Sequence, residues 1–256
     1  MEYLLSDLNL LEIKTGVSKK DEGSATFEIG PLSPGYGVTV GNSLRRVLLA
    51  SLEGSAIKSV KIDGVDHEFG VLKGLKEDIV ELILNLKMAR FKLNADDSAK
   101  MSLSVKGPAT VTTADFKQTS EVEVVSGDHY LCTLEKGGKL DLEIEVDKGR
   151  GYLPVEKRSE EKLPIGTILI DSIYTPVKKV RFDVENARVG SITNYDKLTV
   201  EIATDGSISP KQALSYAAKV LVEHFQVIVD STDVPEKSLK ASGKKSVKKK
   251  TSKSKK

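Results

Sequence analysis

Tryptophan is absent from the 256 residues, cysteine occurs once, and aromatic side chains make up only 5% of the chain. The lone Cys132 excludes an intrachain disulfide and any multi-cysteine zinc site, which fits a reducing compartment. Long apolar runs are also missing, since nothing approaches the ~18 to 20 residues that a bilayer-spanning helix needs. The amino terminus, MEYLLSDLNL, carries acids where a secretory signal would start basic and continue apolar. The reading is a cytoplasmic chain with no membrane segment, long enough for one large domain or two ordinary ones.

Catalytic constellations are scarce too. The three histidines, His67, His129 and His224, show no His-x-x-x-His or Cys-x-x-His spacing, so no metal site is expected. His224 falls beside a helix face and reads as a half-buried interface residue, whereas His67 falls in a turn. The strained Gly-x-Ser-x-Gly elbow of serine hydrolases is absent. No acid, base, nucleophile and metal cluster can be assembled, and no cofactor is expected.

What the chain does have is charge, unevenly spread. From Glu236 to Lys256 there are ten lysines and one acid, so a net +2 protein divides into an acidic body and a strongly basic tail. The tail has no aromatic and only two large apolar residues, Leu239 and Val247. It cannot offset the ~1 to 2 kcal/mol per residue that backbone ordering costs, and is expected to be disordered. Two readings stay open for it: a solubilising end, or a sequence-blind contact with nucleic-acid phosphates through Lys244, Lys245, Lys248, Lys249 and Lys250.

Within the body, GPLSPGYGVTVGNSLRRVLLASLEG reads as a glycine-rich turn followed by a helix. Thr39 is the expected N-cap and Gly54 the expected stop. Val40, Leu44, Val47 and Leu48 share one stripe of that helix, and Arg45 and Arg46 point away. Ser209-Pro210 announces a second long helix, with Leu214, Leu221, Phe225 and Ile228 on its apolar face. A shorter helix is expected in LKEDIVELILNLKMAR.

Between the helices, KSVKIDG, KMSLSVKG, ATVTTADF, EVEVV, LDLEIEVD, KKVRFDVENARV and DKLTVEIATDG alternate with period two or are rich in β-branched residues. The fold class is therefore α+β with mainly antiparallel sheets. Both long helices carry apolar residues off the stripe as well, Leu49 and Leu52 on the first and Val220, Val222 and Val229 on the second. Helices apolar on two sides suit packing on their own sheet and against a second copy. A two-fold homodimer is expected, with Val40, Leu44, Val47, Leu48, Leu214, Leu221, Phe225 and Ile228 at its interface.

Two further features bear on chemistry. Gly35-Tyr36-Gly37 with Gly41, at a helix start, is either an anion cradle or a tight turn that lets the helix approach another backbone closely. The adjacent arginines are either solvated or an interface anchor, and GRGY in KGRGYLP combines flexible backbone, guanidinium and ring in a way that suits docking.

The segment PLSPGYGVTVGNSLRRVLLASLEG closely resembles the signature of the α-subunit family of bacterial-type DNA-directed RNA polymerase. KIDGVDHEF, EDIVELILNLK, GPATVTTADF, KGRGYLP, PIGTILIDSIYTPVKKVRFDVENARVG, TNYDKLTVEIATDGSISPKQAL and AAKVLVEHF follow in the family's order, over about residues 1 to 232. The resemblance implies a dimerisation domain from residues 1–52 and 177–232, in which the long helices cross those of the partner copy. It implies an insert domain at 53–176, and the lysine-rich tail at 233–256 stands outside both.

The resemblance further implies an assembly platform on which one copy receives β and the other β′, with ω and sigma completing the holoenzyme at the nucleoid. Arg46 matches the β-docking position, with Arg45 and Leu49 beside it. Lys87, Ile170, Asp171, Arg188 and Lys197 match β′-docking positions. The catalytic magnesium belongs to β′ in that family, so no catalytic residue is expected here. Val40, Asn194 and Asp205 depart modestly from the family pattern. Family members usually continue into a small C-terminal domain that binds upstream promoter DNA. Here the basic tail stands in that place, and DNA contact is expected through the assembled polymerase and that tail.

Overall fold

A computed structural model describes residues 12–17, 23–158, 164–189 and 192–232. The tail lysines Lys244, Lys245, Lys248, Lys249 and Lys250 therefore lie outside the described residues. In chain order the first elements are β1 (Glu12–Val17), β2 (Ser24–Leu32), α1 (Tyr36–Ala50), β3 (Glu53–Ile62), α2 (Ile79–Met88), β4 (Phe91–Leu93) and β5 (Ala99–Lys106). They are followed by β6 (Ala109–Thr112), β7 (Val122–Val124), β8 (Tyr130–Leu134), β9 (Lys139–Arg150), β10 (Tyr152–Leu153), β11 (Thr167–Leu169) and β12 (Ser172–Ile173). The long hairpin β13 (Val177–Val189) and β14 (Ile192–Thr204) leads into α3 (Pro210–Thr232).

The strands divide into an outer antiparallel sheet, β1-β2-β14-β13, and an inner one, β11-β3-β9-β5, with two-stranded ribbons β4-β7, β6-β8 and β10-β12. The class is α+β. Period-two alternation explains the strands: along β9, Leu140, Leu142, Ile144 and Val146 are buried and the residues between them are polar. One core, including Val60, Leu82, Leu103 and Ile144, lies within the segment from Ile57 to Ile170. A second joins Phe27, Leu44 and Leu48 to Leu198, Val200 and Ala217.

Local signals set two of the helix starts. The Asp78 carboxylate accepts from Glu81 N at 2.7 Å to open α2. At α3, Gln212 N donates to Ser209 Oγ at 3.3 Å, and Ser209 N donates back to Gln212 Oε1 at 3.1 Å, a reciprocal cap. The start of α1 differs from expectation. The helix begins at Tyr36 behind Gly35, whose φ of 84° is left-handed, and Thr39 sits inside the first turn donating to Gly35 O at 3.2 Å.

Gly54 does not end α1 either, because the helix closes at Ser51 and Gly54 already belongs to β3. It is paired with Gly149 on β9, and Tyr174 lies across both. A Cβ on Gly54 would stand 1.9 Å from the Tyr174 carbonyl oxygen, and one on Gly149 would stand 2.6 Å from its ring. The chain passes from one core to the other at this crossing, so the glycine serves close approach rather than termination.

The expected dimer stripe is corrected at two positions. Leu44 and Leu48 are 5% and 0% exposed and fill the protomer's own outer core. The reason is geometric: α1 has one sheet to cover, and its i, i+4 pair covers it. Val40, Val47, Leu214 and Leu221 pack partly against that same core. Phe225 and Ile228 are 59% and 55% exposed, beyond the reach of the sheet.

Candidate docking surfaces

With Leu44 and Leu48 turned inward, Arg45, Arg46 and Leu49 are left on the outer side of α1, all exposed. The helix they ride on is fixed at both ends. Gly35 N and Gly37 N donate to Asp196 Oδ2 at 2.9 and 3.0 Å, and Thr175 Oγ1 donates to Leu49 O at 3.3 Å. The glycine motif is thus no vacant cradle: the anion at the helix start is a carboxylate of the chain itself.

A second group forms around Asp171, on the segment between β11 and β12. Its Oδ2 accepts from Lys87 Nζ at 2.8 Å and from the Tyr152 hydroxyl at 2.8 Å, and its Oδ1 accepts from Val155 N at 2.9 Å. The Lys87 ammonium lies 5.4 Å from the centre of the Tyr152 ring. The Lys87 hydrogen bond, helped by those from Val155 and Tyr152, holds the Asp171 carboxyl down at about 2. The same pairing raises Lys87, and Asp171 raises the Tyr152 phenol.

Ile170, by contrast, is 1% exposed within the inner core, which excludes its side chain from a docking surface. Strand alternation turns it inward, and its amide bonds Lys58 O at 3.0 Å, seating Asp171 outward.

The remaining positions lie on the outer sheet. Lys197 Nζ bridges Glu185 at 2.8 Å, its direct cross-strand neighbour, and Glu28 at 3.9 Å. The Glu185 hydrogen bond raises the Lys197 ammonium. Lys197 and the exposed Arg188 share a shallow cleft of about 180 Å³ with Glu12, Lys14 and Glu28. The structure therefore pairs Lys87 of α2 with Asp171, and separately places Arg188 and Lys197 of the outer sheet along one cleft. The far half of α3 forms a further surface, where Val222, Phe225, Val227, Ile228 and Val229 are all more than half exposed.

Among the described residues, no cluster of three histidine, cysteine or acidic side chains is placed to hold a metal ion. His129 Nε2 lies 3.0 Å from Asn85 O, and His224 Nδ1 lies 2.7 Å from Val220 O on a turn of α3 that is exposed in the protomer. Burial pushes the Cys132 thiol up to about 12, which makes it inert.

Residues 60–175 match the family described as the RNA polymerase Rpb3/RpoA insert domain. The DNA-directed RNA polymerase subunit alpha of Clostridium acetobutylicum is 50% identical over 216 residues, spanning 84% of this chain and 69% of the relative. That of Clostridium botulinum strain Hall is 48% identical over 218 residues, spanning 85% and 69%. The chain belongs to the RNA polymerase α-subunit family.

Seen as an α subunit, the molecule contains supporting residues that the sequence reading does not name. Tyr152 belongs to the KGRGYLP motif already marked for docking, and here it completes the Lys87–Asp171 group. Behind it, Arg158 is 4% exposed and donates to Ser172 Oγ at 3.0 Å and to the Tyr174 hydroxyl. It also pairs with Asp147 at 3.4 Å. Tyr174 in turn donates to Asp147 Oδ1 at 2.6 Å. Burial, then Asp147, raises the Tyr174 phenol to about 12, and burial also pushes the Asp147 carboxyl up. Arg158, at the end of the short 3-10 helix Val155–Arg158, gives no local sign that it is buried, and Asp196 gives no local sign that it caps a helix.

Proposed function

We propose that the chain is the homodimeric assembly platform of DNA-dependent RNA polymerase, docking the β and β′ subunits without itself carrying the catalytic metal. In this reading residues 1–52 and 177–232 dimerise and residues 53–176 form the insert. The two separate hydrophobic cores support that division. The observation that carries the proposal is the carboxyl-terminal half of α3, where Val222, Phe225, Val227, Ile228 and Val229 are exposed in the protomer. Monomers rarely leave apolar patches of more than a few hundred Å² open.

Arg45, Arg46 and Leu49 take β, whereas Lys87 with Asp171, and Arg188 with Lys197, take β′. Identical copies present the same surfaces, and each copy uses a different one. The test is co-expression with β and β′. The chain should behave as a dimer at micromolar concentration, and Phe225→Glu with Ile228→Glu should yield monomers. Arg46→Ala should lose β while leaving the dimer intact, at a cost of about 2 kcal/mol or more. A monomeric wild-type chain would refute the platform.

The lysine-rich tail supplies a sequence-blind phosphate contact. With roughly half of its lysines engaged, polymerase–DNA affinity should fall with salt at a logarithmic slope about 4 to 5 steeper than in a chain truncated at Val234. No helix among the described residues is long and apolar enough to cross a membrane, and the assembled polymerase would act at the nucleoid.

A further inference from the structure

Helix α1 is capped by a residue from the other end of the chain. Its own N-cap, Gly35, has no side chain with which to bond the first amides, yet both Gly35 N and Gly37 N end on Asp196 Oδ2. Asp196 is 8% exposed, and it stands on β14, the strand next to β13 in the outer sheet. Unpaired amides at a helix start carry partial positive charge, so a carboxylate there bonds strongly and in one place.

Two glycines bring the helix close enough for this. A Cβ on Gly37 would stand 2.7 Å from Val184 Cγ1, and a Cβ on Gly41 would stand 2.7 Å from the Phe182 ring. Glycine permits close approach but does not choose a register along the sheet; a carboxylate holding two amides does. Arg46 lies nine residues beyond Gly37, about 14 Å along the axis at 1.5 Å per residue, so a small tilt at the cap moves its guanidinium by about 1 Å. The next residue, Lys197, points to the opposite face of the strand and bonds Glu185. Removing the Asp196 carboxylate therefore leaves that pairing in place.

We infer that Asp196 is the positioning residue of the Arg45–Arg46 docking surface, setting the angle and register at which α1 presents its arginines. The inference rests on the reading of that surface as the site for β.

The experiment uses the full chain with purified β and, separately, purified β′. Asp196→Ala should weaken β at least tenfold, equal to ~1.4 kcal/mol. It should speed hydrogen exchange at the Gly35 and Gly37 amides and leave the β′ affinity unchanged, with the chain still dimeric at micromolar concentration. Asp196→Asn keeps an oxygen that accepts from both amides, so it should recover most of the β affinity. Ile144→Val in the inner core is the control for general loss of stability, and it should leave β binding intact at a comparable fall in melting temperature.

Wild-type β affinity in Asp196→Ala would overturn the inference, as would an equal loss of β in the Ile144→Val control. If Arg46→Ala loses β and Asp196→Ala does not, the positioning role alone falls. If Arg46→Ala binds β normally, the docking surface itself is misassigned and the inference falls with it.

Discussion

Replacing Arg158 with methionine tests whether the docking surface around Asp171 depends on the buried network behind it. The guanidinium is 4% exposed and bonds Ser172, Tyr174 and Asp147, while the Asp147 side chain is 21% exposed. Methionine fills much of the volume but leaves the Asp147 carboxylate without its cation. Removing one partner of a buried ion pair costs about 3 to 5 kcal/mol. For a chain of this size that corresponds to a fall of roughly 6 to 20 °C in melting temperature.

The loss should also depend on pH. Burial already raises the Asp147 carboxyl, so the folded protein binds that proton more tightly than the unfolded chain does. Above the folded-state pKa, ionised Asp147 works against folding. The penalty is relieved as pH falls through that pKa, and loss of Arg158 should enlarge it. The deficit of Arg158→Met relative to wild type should therefore shrink on acidification, measured by urea unfolding at several pH values. Arg158→Lys should fall between the two, because an ammonium keeps the charge but not the fork that spans Ser172 and Tyr174. Loss of less than about 1 kcal/mol in Arg158→Met, or full restoration by lysine, would refute this account.

Three other outcomes are expected. Carboxyl NMR of Asp171 should give a midpoint near 2, with the stability of its pairing complete above the ordinary value of 3.8 and lost as pH falls towards 2; a midpoint near the ordinary value would show that Lys87 does not hold it. Gly54→Ala should destabilise by about 1 to 3 kcal/mol or more by driving a methyl into the Tyr174 carbonyl, whereas Gly127→Ala, with nothing within 4 Å, should be nearly neutral in thermal melts. Cys132, fully buried with its thiol raised to about 12, should react with a thiol reagent at the rate of global unfolding; rapid labelling of the native protein would contradict that burial.

Much of the architecture is legible from short-range pattern. Asp78 and Ser209-Pro210 mark helix starts because a side-chain oxygen three residues from an unpaired amide reaches it wherever the segment lies. β9 can be read from its alternation, since one of its faces is buried. Strand β2 alternates as well, with Ala25, Phe27 and Ile29 turned to the core, but the sequence reading passes over it in favour of the glycine-rich turn that follows. The arginine pair of α1 is readable in sequence because a stripe of leucines leaves it only the other side.

Partners distant in sequence are a different matter. Lys87 meets Asp171 across 84 positions, and Gly37 meets Asp196 across 159. Neither distance leaves a trace in local composition, because strand pairing and the crossing at Gly54 decide which side chains face each other. Periodicity likewise shows that Leu44, Leu48, Phe225 and Ile228 are apolar, but not which of them their own sheet covers. The sheet ends before it reaches the last turns of α3, so burial stops there too. Hydrogen bonding and alternation between near neighbours were enough for the sequence to determine the α+β class and the helices. Only the tertiary structure, through strand register and the finite width of a sheet, decided which apolar residues stayed exposed and which carboxylate took each cation or helix end.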